Sequence, residues 1–442
     1  MDEDAAKRAA RAQTRALLLL SAGIFGVLSI WYVGSAVLPL MRADTKLRPD
    51  GLSNAEGSLL TSGANIGFVV GCIGSALVNL SDLIRPSVLV LIGAVSAASI
   101  TAGSCLDGVS FELVLISRCL VGVCIALVYP PSMKLLATWY APEKRGGAIG
   151  ILFAFFCVGS AFPQLLKALA GDSALGSWRF PLLVTSAVTA SAGILVYVGV
   201  GEGPYPFPPA SKLQPSQTLQ VLRTPSVLLP ILGYTGHQIE VMNMWGWIGE
   251  FLVQVHGMSE RDAGLLAFAA ISMGGPGSWL GGWLGDKYGR VKVCSAALMV
   301  SGSCCLCIGL IADLPFALTV ITVIIWGLSV LMDSPNFPAI ISKNADQEYV
   351  GTALSVQLAS GYLMCSLGML FMAMIGDGIG WRWTYPIMAS TPLLLGLGAM
   401  QMLQKLEDRD DEDRANDDAR QIVPPANVQP DDPVAHRNAV NP

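Results

Sequence analysis

The sequence predicts an all-α membrane protein: twelve transmembrane helices in two six-helix bundles, with a disordered acidic C-terminal tail. Three observations carry that reading. Of 442 residues, 53% are hydrophobic and only 13% are charged, and the mean hydropathy is +0.56; a soluble domain carries about 25% charged residues. The apolar residues also fall in blocks long enough to cross a bilayer, which takes ~20 residues because each backbone polar group must be satisfied within its own helix. Finally, the chain repeats itself at an offset of about 205 residues, the mark of a duplicated architecture.

The blocks run 16–41, 54–80, 87–106, 111–137, 147–170 and 179–200, then 226–252, 263–284, 293–312, 315–341, 351–375 and 383–404. The first is longer than a signal-peptide core and has no small-residue cleavage site after it, so it reads as a retained helix. Residues 1–15 form a cytoplasmic N-terminal segment, 16–200 the first bundle and 226–404 the second. Residues 201–225, with Pro204, Pro206, Pro208, Pro209 and Pro215, form a cytoplasmic linker. From residue 405 the chain is rich in Asp, Glu and Pro, cannot bury a core and is expected to be disordered.

The repeat appears in order along both halves. Gly51-Leu-Ser53 with Glu56 returns as Gly257-Met-Ser259 with Asp262, and Asp82 returns as Asp286. Gly122 through Tyr129-Pro130 to Gly146 pairs with Gly327 through Ser334-Pro335 to Gly351, and Trp178-Arg179 pairs with Trp381-Arg382. Parallel six-helix repeats place a solute site between the halves near the bilayer midplane. With both termini inside, thirteen Lys and Arg fall in inner segments, the tail excluded, and seven in outer loops. That bias predicts a multi-pass protein of the cell membrane with cytoplasmic termini. The ten cysteines lie almost entirely within the blocks and lack metal-site spacing, so they read as small apolar fillers. No metal and no cofactor is expected.

Gly281-Gly-Trp-Leu-Gly285-Asp286-Lys287-Tyr288-Gly289-Arg290 resembles the loop motif of the major facilitator superfamily. Arg118-Cys-Leu-Val-Gly122 resembles its fourth-helix motif, and Trp139-Tyr140-Ala-Pro142-Glu143-Lys144-Arg145-Gly146 the loop that follows. The first-half loop, Asp82-Leu-Ile-Arg85, is a degenerate copy. Asp333-Ser-Pro335-Asn-Phe-Pro338 and Gly159-Ser-Ala-Phe-Pro163 loosely resemble nitrate/nitrite- and cyanate-porter-like members. The resemblance implies the major facilitator fold, with helices one, four, seven and ten lining a central cavity. It also implies gating roles for Asp82, Arg85, Arg145, Asp286, Lys287, Gly289 and Arg290.

Charged residues at bilayer depth are costly, at least ~2.5 kcal/mol each on insertion scales, so those present mark a cavity or a pair. His237, Gln238 and Glu240 sit near the centre of the seventh block, and His237 and Glu240, three apart, share one helical face. An imidazole beside a buried carboxylate forms a candidate proton site, with a packed hydrogen-bonded pair as the alternative. Arg118 is a candidate to hold an anionic solute bidentately or to pair with Glu240. Asp333 is a candidate to bind a proton or cation, or to pair with Lys134. Trp31, Tyr32 and Ser35 lie midway along the first block, with Asn65 and Gln357 as further polar candidates.

No phosphate-binding glycine loop, nucleophile–base pair or metal-ligand set appears, so nothing indicates ATP hydrolysis or enzymatic chemistry. The expected function is secondary active transport of a small polar or anionic solute, proton-coupled symport by alternating access, with the protein acting as a monomer and binding no nucleic acid. The alternatives are an exporter or antiporter of organic molecules and a non-transporting nutrient sensor.

Overall fold

The computed structural model describes residues 3–42, 44–48, 51–78, 80–141, 145–170, 177–205, 220–346 and 350–422. Its first-half helices are α1 (Glu3–Arg42), α2 (Asn54–Leu77), the short α3 (Leu80–Leu83), α4 (Pro86–Gly103), α5 (Phe111–Ala126), α6 (Tyr129–Thr138), α7 (Arg145–Ala170) and α8 (Arg179–Gly199). The second half holds α9 (Pro225–His256), α10 (Glu260–Ser272), α11 (Gly274–Tyr288), α12 (Arg290–Leu310), α13 (Phe316–Ser329), α14 (Asn336–Asn344), α15 (Val350–Ile379), α16 (Thr384–Met388), a π-helical turn (Thr391–Gly396) and α17 (Leu397–Ile422).

All twelve predicted blocks are helical, several of them broken. The fourth divides at Leu127–Val128, where Pro130 and Pro131 open α6 and cannot supply the hydrogen bonds a continuous helix needs. The eighth pauses at Met273, and the tenth is non-helical from Val330 to Pro335. Among the described residues ten helical stretches are long and apolar enough to cross a membrane, and α13 is a shorter apolar helix. Pro225–His256 is too polar to join those ten, and its burial explains how it tolerates that: Gly233 to Leu252 are all buried by neighbouring helices. Elsewhere the apolar residues turned outward, such as Val70, Leu120, Ile321 and Met374, face the bilayer.

Two boundaries differ from the sequence expectation. The first helix starts at Glu3, so the N-terminal segment is largely helical. The last continues to Ile422 through the acidic run that was expected to be disordered. Gln404 Nε2 donates to Asp408 Oδ1 across one turn at 2.8 Å, and no proline interrupts the chain before Pro424. The tail from 423 lies outside the described residues, as does linker segment 206–219. Among the described residues, those up to Leu403 form one compact unit and those from Gln404 to Ile422 belong to another.

The repeat has structural causes in both halves. Gly51 and Gly257 adopt left-handed backbone, φ 75° and 64°, a conformation glycine enters without steric cost. Two residues later Ser53 and Ser259 cap α2 and α10 by accepting from the backbone N–H of Glu56 and Asp262. Gly122 lies against the Ala64 carbonyl and Gly327 against that of Ala270, so close that an added Cβ would come within 2.1 and 2.0 Å. Arg179 Nε donates to Cys105 O (3.0 Å) and pairs with Asp107; Arg382 Nε donates to Gly309 O (3.1 Å) and pairs with Asp313. Between halves, α2 packs on α15, and α7 on α10 and α11.

Candidate transport site

In the second half His237 with Asp333 and, separately, Glu240 form two distinct buried groups. His237 on α9 places Nδ1 2.8 Å from Asp333 Oδ1, an ion-pair distance not aligned as a hydrogen bond. Both side chains are 1% exposed. The other imidazole nitrogen, Nε2, is 2.8 Å from Ser334 Oγ, and the ring packs beside Tyr234 and Phe337 in a cluster of three. Asp333 and Ser334 occupy the non-helical stretch ahead of Pro335, so the break in the tenth block carries both groups to α9. Glu240 has different partners: Trp326 Nε1 donates to Oε1 at 2.7 Å and Ser301 Oγ to Oε2 at 3.0 Å. The expected His237–Glu240 pair is therefore replaced by separate contacts, His237 to the non-helical stretch and Glu240 to α12 and α13. Gln238 is buried against Gly361 with Nε2 unpartnered.

In the first half, Arg118 is buried and donates through Nε to Leu60 O at 3.2 Å and through Nη2 to Trp31 O; Nη1 has no partner. It does not meet Glu240; two backbone carbonyls hold it instead. Trp31 Nε1 donates to Asn65 Oδ1 at 2.8 Å, and Tyr32 Oη lies 2.6 Å from Met242 Sδ in the other half. Ser35 Oγ donates to the Tyr32 carbonyl at 3.0 Å. Gln357 is buried on α15 and Lys134 half-buried on α6.

Between the halves runs a closed circuit of aromatic rings that the sequence did not reveal. Consecutive centroids are Trp31–Tyr32 6.0 Å, Tyr32–Trp245 5.4 Å, Trp245–Phe156 5.9 Å, Phe156–Tyr129 5.6 Å, Tyr129–Phe68 6.4 Å and Phe68–Trp31 4.7 Å. Tyr362 stands on both Trp31 and Phe68. Five helices and α15 contribute, so no local sequence pattern could have shown it.

At one end of the bundle polar contacts tie the halves together. Arg42 Nη1 bonds Glu250 Oε1 at 2.9 Å, Lys167 Nζ bonds Glu260 Oε2 at 2.8 Å, and Asn54 bonds both Arg42 and Asp377. Beside this latch, in the loop after α1, the Trp178 indole donates to Asp44 at 2.8 Å and holds its carboxyl below the usual carboxylate range. These residues lay at block ends, where charge is commonplace, and gave no sequence signal.

At the opposite end, Asp286 pairs with Arg290, whose Nη1 also donates to Asn336 Oδ1 at 3.2 Å. Gly289 turns the chain at φ 97°, and Lys287 Nζ stands over the rings of Trp283 and Tyr288. Arg85 is exposed ahead of α4. The side chains of Asp82 and Arg145, and all of 142–144, lie outside the described residues.

The sequence matches the Major Facilitator Superfamily over residues 19–369 and 232–430. Human Protein spinster homolog 1 is 28% identical over 164 residues, a match covering 35% of this chain and 31% of that protein. Two crystal structures of a bacterial homologue of the human lysosomal transporter Spinster share the fold. The inward-facing occupied form has a TM-score of 0.69 at 16% identity, covering 88% of this chain and 96% of that one. The inward-facing unoccupied form has 0.65 at 17%, covering 89% and 94%. Matched by the family's model over most of its length, this chain belongs to the Major Facilitator Superfamily and is a multi-pass membrane transporter.

Proposed function

We propose that the protein is a proton-coupled symporter that moves a small polar or anionic solute by alternating access. In this reading Pro225–His256 and the broken tenth block also cross the membrane. The protein works as a monomer in the cell membrane, both termini are cytoplasmic, and the linker 201–225 joins two bundles bounded at 16–200 and 226–404. The carrying observation is the buried His237–Asp333 pair. Its two groups can bind or release a proton between them, and it joins a fully buried helix to an irregular segment, the kind of backbone that membrane carriers keep only where it lines a cavity or is enclosed by protein. Glu240, with both oxygens occupied by donors, is the structural carboxylate of the site. Arg118 Nη1 and Gln238 Nε2, buried and unpartnered, are the donors offered to the solute. The latch closes the outer end, so exchange to the outward-open state requires Arg42, Asn54 and Lys167 to release their partners, while Asp286 and Arg290 act at the cytoplasmic end.

Uptake into proteoliposomes tests this reading. A screen of inorganic and organic anions, with and without an inward proton gradient, is expected to find a solute accumulated only with the gradient and lost on adding a protonophore. Accumulation indifferent to pH would contradict proton coupling. The aromatic circuit favours a second reading, an exporter or antiporter of organic molecules, since flat apolar bodies bury well among rings and Trp245 Nε1 is a buried donor without a partner. Aromatic carboxylates in the same screen separate the two.

A further inference from the structure

On the outer surface of the second half, where Tyr288, Lys292, Ala296 and Val300 are exposed, a groove of about 380 Å³ opens between α11, α12 and the end of α13. Its lining is polarised along α12. Lys292 near the start of α12 and Tyr288 at the end of α11 lie at one end, Ala296 and Val300 follow Lys292 at one-turn intervals, and Leu284 and Met332 add to the apolar lining. From Lys292 to Val300 the helix descends ~12 Å. A cation over an apolar slot of that depth matches a headgroup over an acyl chain.

The rim is also short of negative charge. Among the described residues no carboxylate lines the groove, and the nearest acid in sequence, Asp286, is taken by Arg290. A second cation, Lys287, lies 5.2 and 5.1 Å from the centroids of Trp283 and Tyr288, and both rings are more than half exposed. Amphipathic rings of this kind settle at the headgroup level of a membrane, and a basic pocket between helices there recruits anionic lipid.

We propose that this groove binds one anionic glycerophospholipid, its phosphate on Lys292 beside Tyr288, and an acyl chain along Ala296 and Val300. The lipid spans α11 and α12 on either side of the Asp286–Arg290 loop, so it steadies the loop at which the cytoplasmic end is gated.

Thermal unfolding of the full chain in detergent provides the test, titrated with phosphatidylglycerol, with phosphatidylcholine of the same acyl chains, and with inorganic phosphate. Phosphatidylglycerol is expected to raise Tm beyond phosphatidylcholine, and phosphate alone to leave it unchanged. Lys292→Gln, at an exposed position that leaves the fold intact, should need about fivefold more phosphatidylglycerol for half the effect, with the phosphatidylcholine response unaltered. Ala296→Trp should fill the slot and abolish both responses; if that variant does not fold, Lys292→Gln decides alone. Equal stabilisation of the native chain by the two lipids, or an unchanged phosphatidylglycerol titration in Lys292→Gln, would overturn the proposal. A full shift from inorganic phosphate would overturn it too, by reducing the site to a lipid-free anion contact.

Discussion

At the scale of single residues, the two buried carboxylates of the second half differ in what surrounds them, and so in what their loss should do. Glu240 accepts from Trp326 and Ser301. Replacing it with Gln sets an amide N–H against one of those donors and leaves a buried polar group unsatisfied, at a cost of about 1–3 kcal/mol. Glu240→Gln should therefore lower Tm while gradient-driven uptake per folded molecule persists; uptake that vanishes at unchanged Tm would move the proton site to Glu240. The sequence displayed these residues plainly, because His237, Glu240 and Asp333 interrupt apolar blocks. It did not display their partners. Spacing put His237 beside Glu240, yet the contact that forms reaches 96 positions along the chain to Asp333, because the break before Pro335 frees that segment to approach α9. Arg118 shows the same limit: its charge within an apolar block was legible, but the carbonyls that hold it belong to helices whose packing no local pattern encodes.

At the scale of elements, the duplicated motifs turned out to be packing and capping devices, which is why they were legible. A left-handed glycine and a serine cap need fixed spacing, and a glycine facing a backbone carbonyl cannot be replaced without moving a helix. An added methyl at Gly327 would stand 2.0 Å from the Ala270 carbonyl. Gly327→Ala should thus cost about 1–3 kcal/mol or more through overpacking, and Gly122→Ala likewise, measured as a fall in Tm or in folded yield; native stability in both would contradict the packing described here. The loop after α1 offers a pH test. The Asp44 carboxyl titrates below its usual range, with the Trp178 indole the main cause and Arg179 a lesser one. A depressed folded value means the contribution is present above the unfolded pKa of ~3.9 and is lost as pH falls through the lower folded value. Asp44→Asn should lower Tm at pH 7, and the gap to the native protein should narrow as pH falls below the unfolded pKa and close only below the lower folded value. A gap that widens on acidification would contradict that sign.

At the scale of the whole molecule, the contacts of Arg42, Asn54 and Lys167 with the second half define which end is shut, and they bias an equilibrium between states. Removing one partly exposed pair shifts such an equilibrium modestly, about two- to fivefold. In Glu250→Gln, distances between spin labels placed across that end should show a correspondingly larger open population; an unchanged distribution would remove the latch from the account. The central claim is that His237 and Asp333 handle the coupling proton, and it is tested most directly by comparing two modes of transport in Asp333→Asn, with the solute found in the anion screen. The asparagine mimics a permanently protonated site, so the loaded carrier still alternates but can no longer draw on the proton gradient. Counterflow exchange should remain measurable while accumulation against a gradient is lost. Gradient-driven accumulation at the native level in Asp333→Asn would contradict the account.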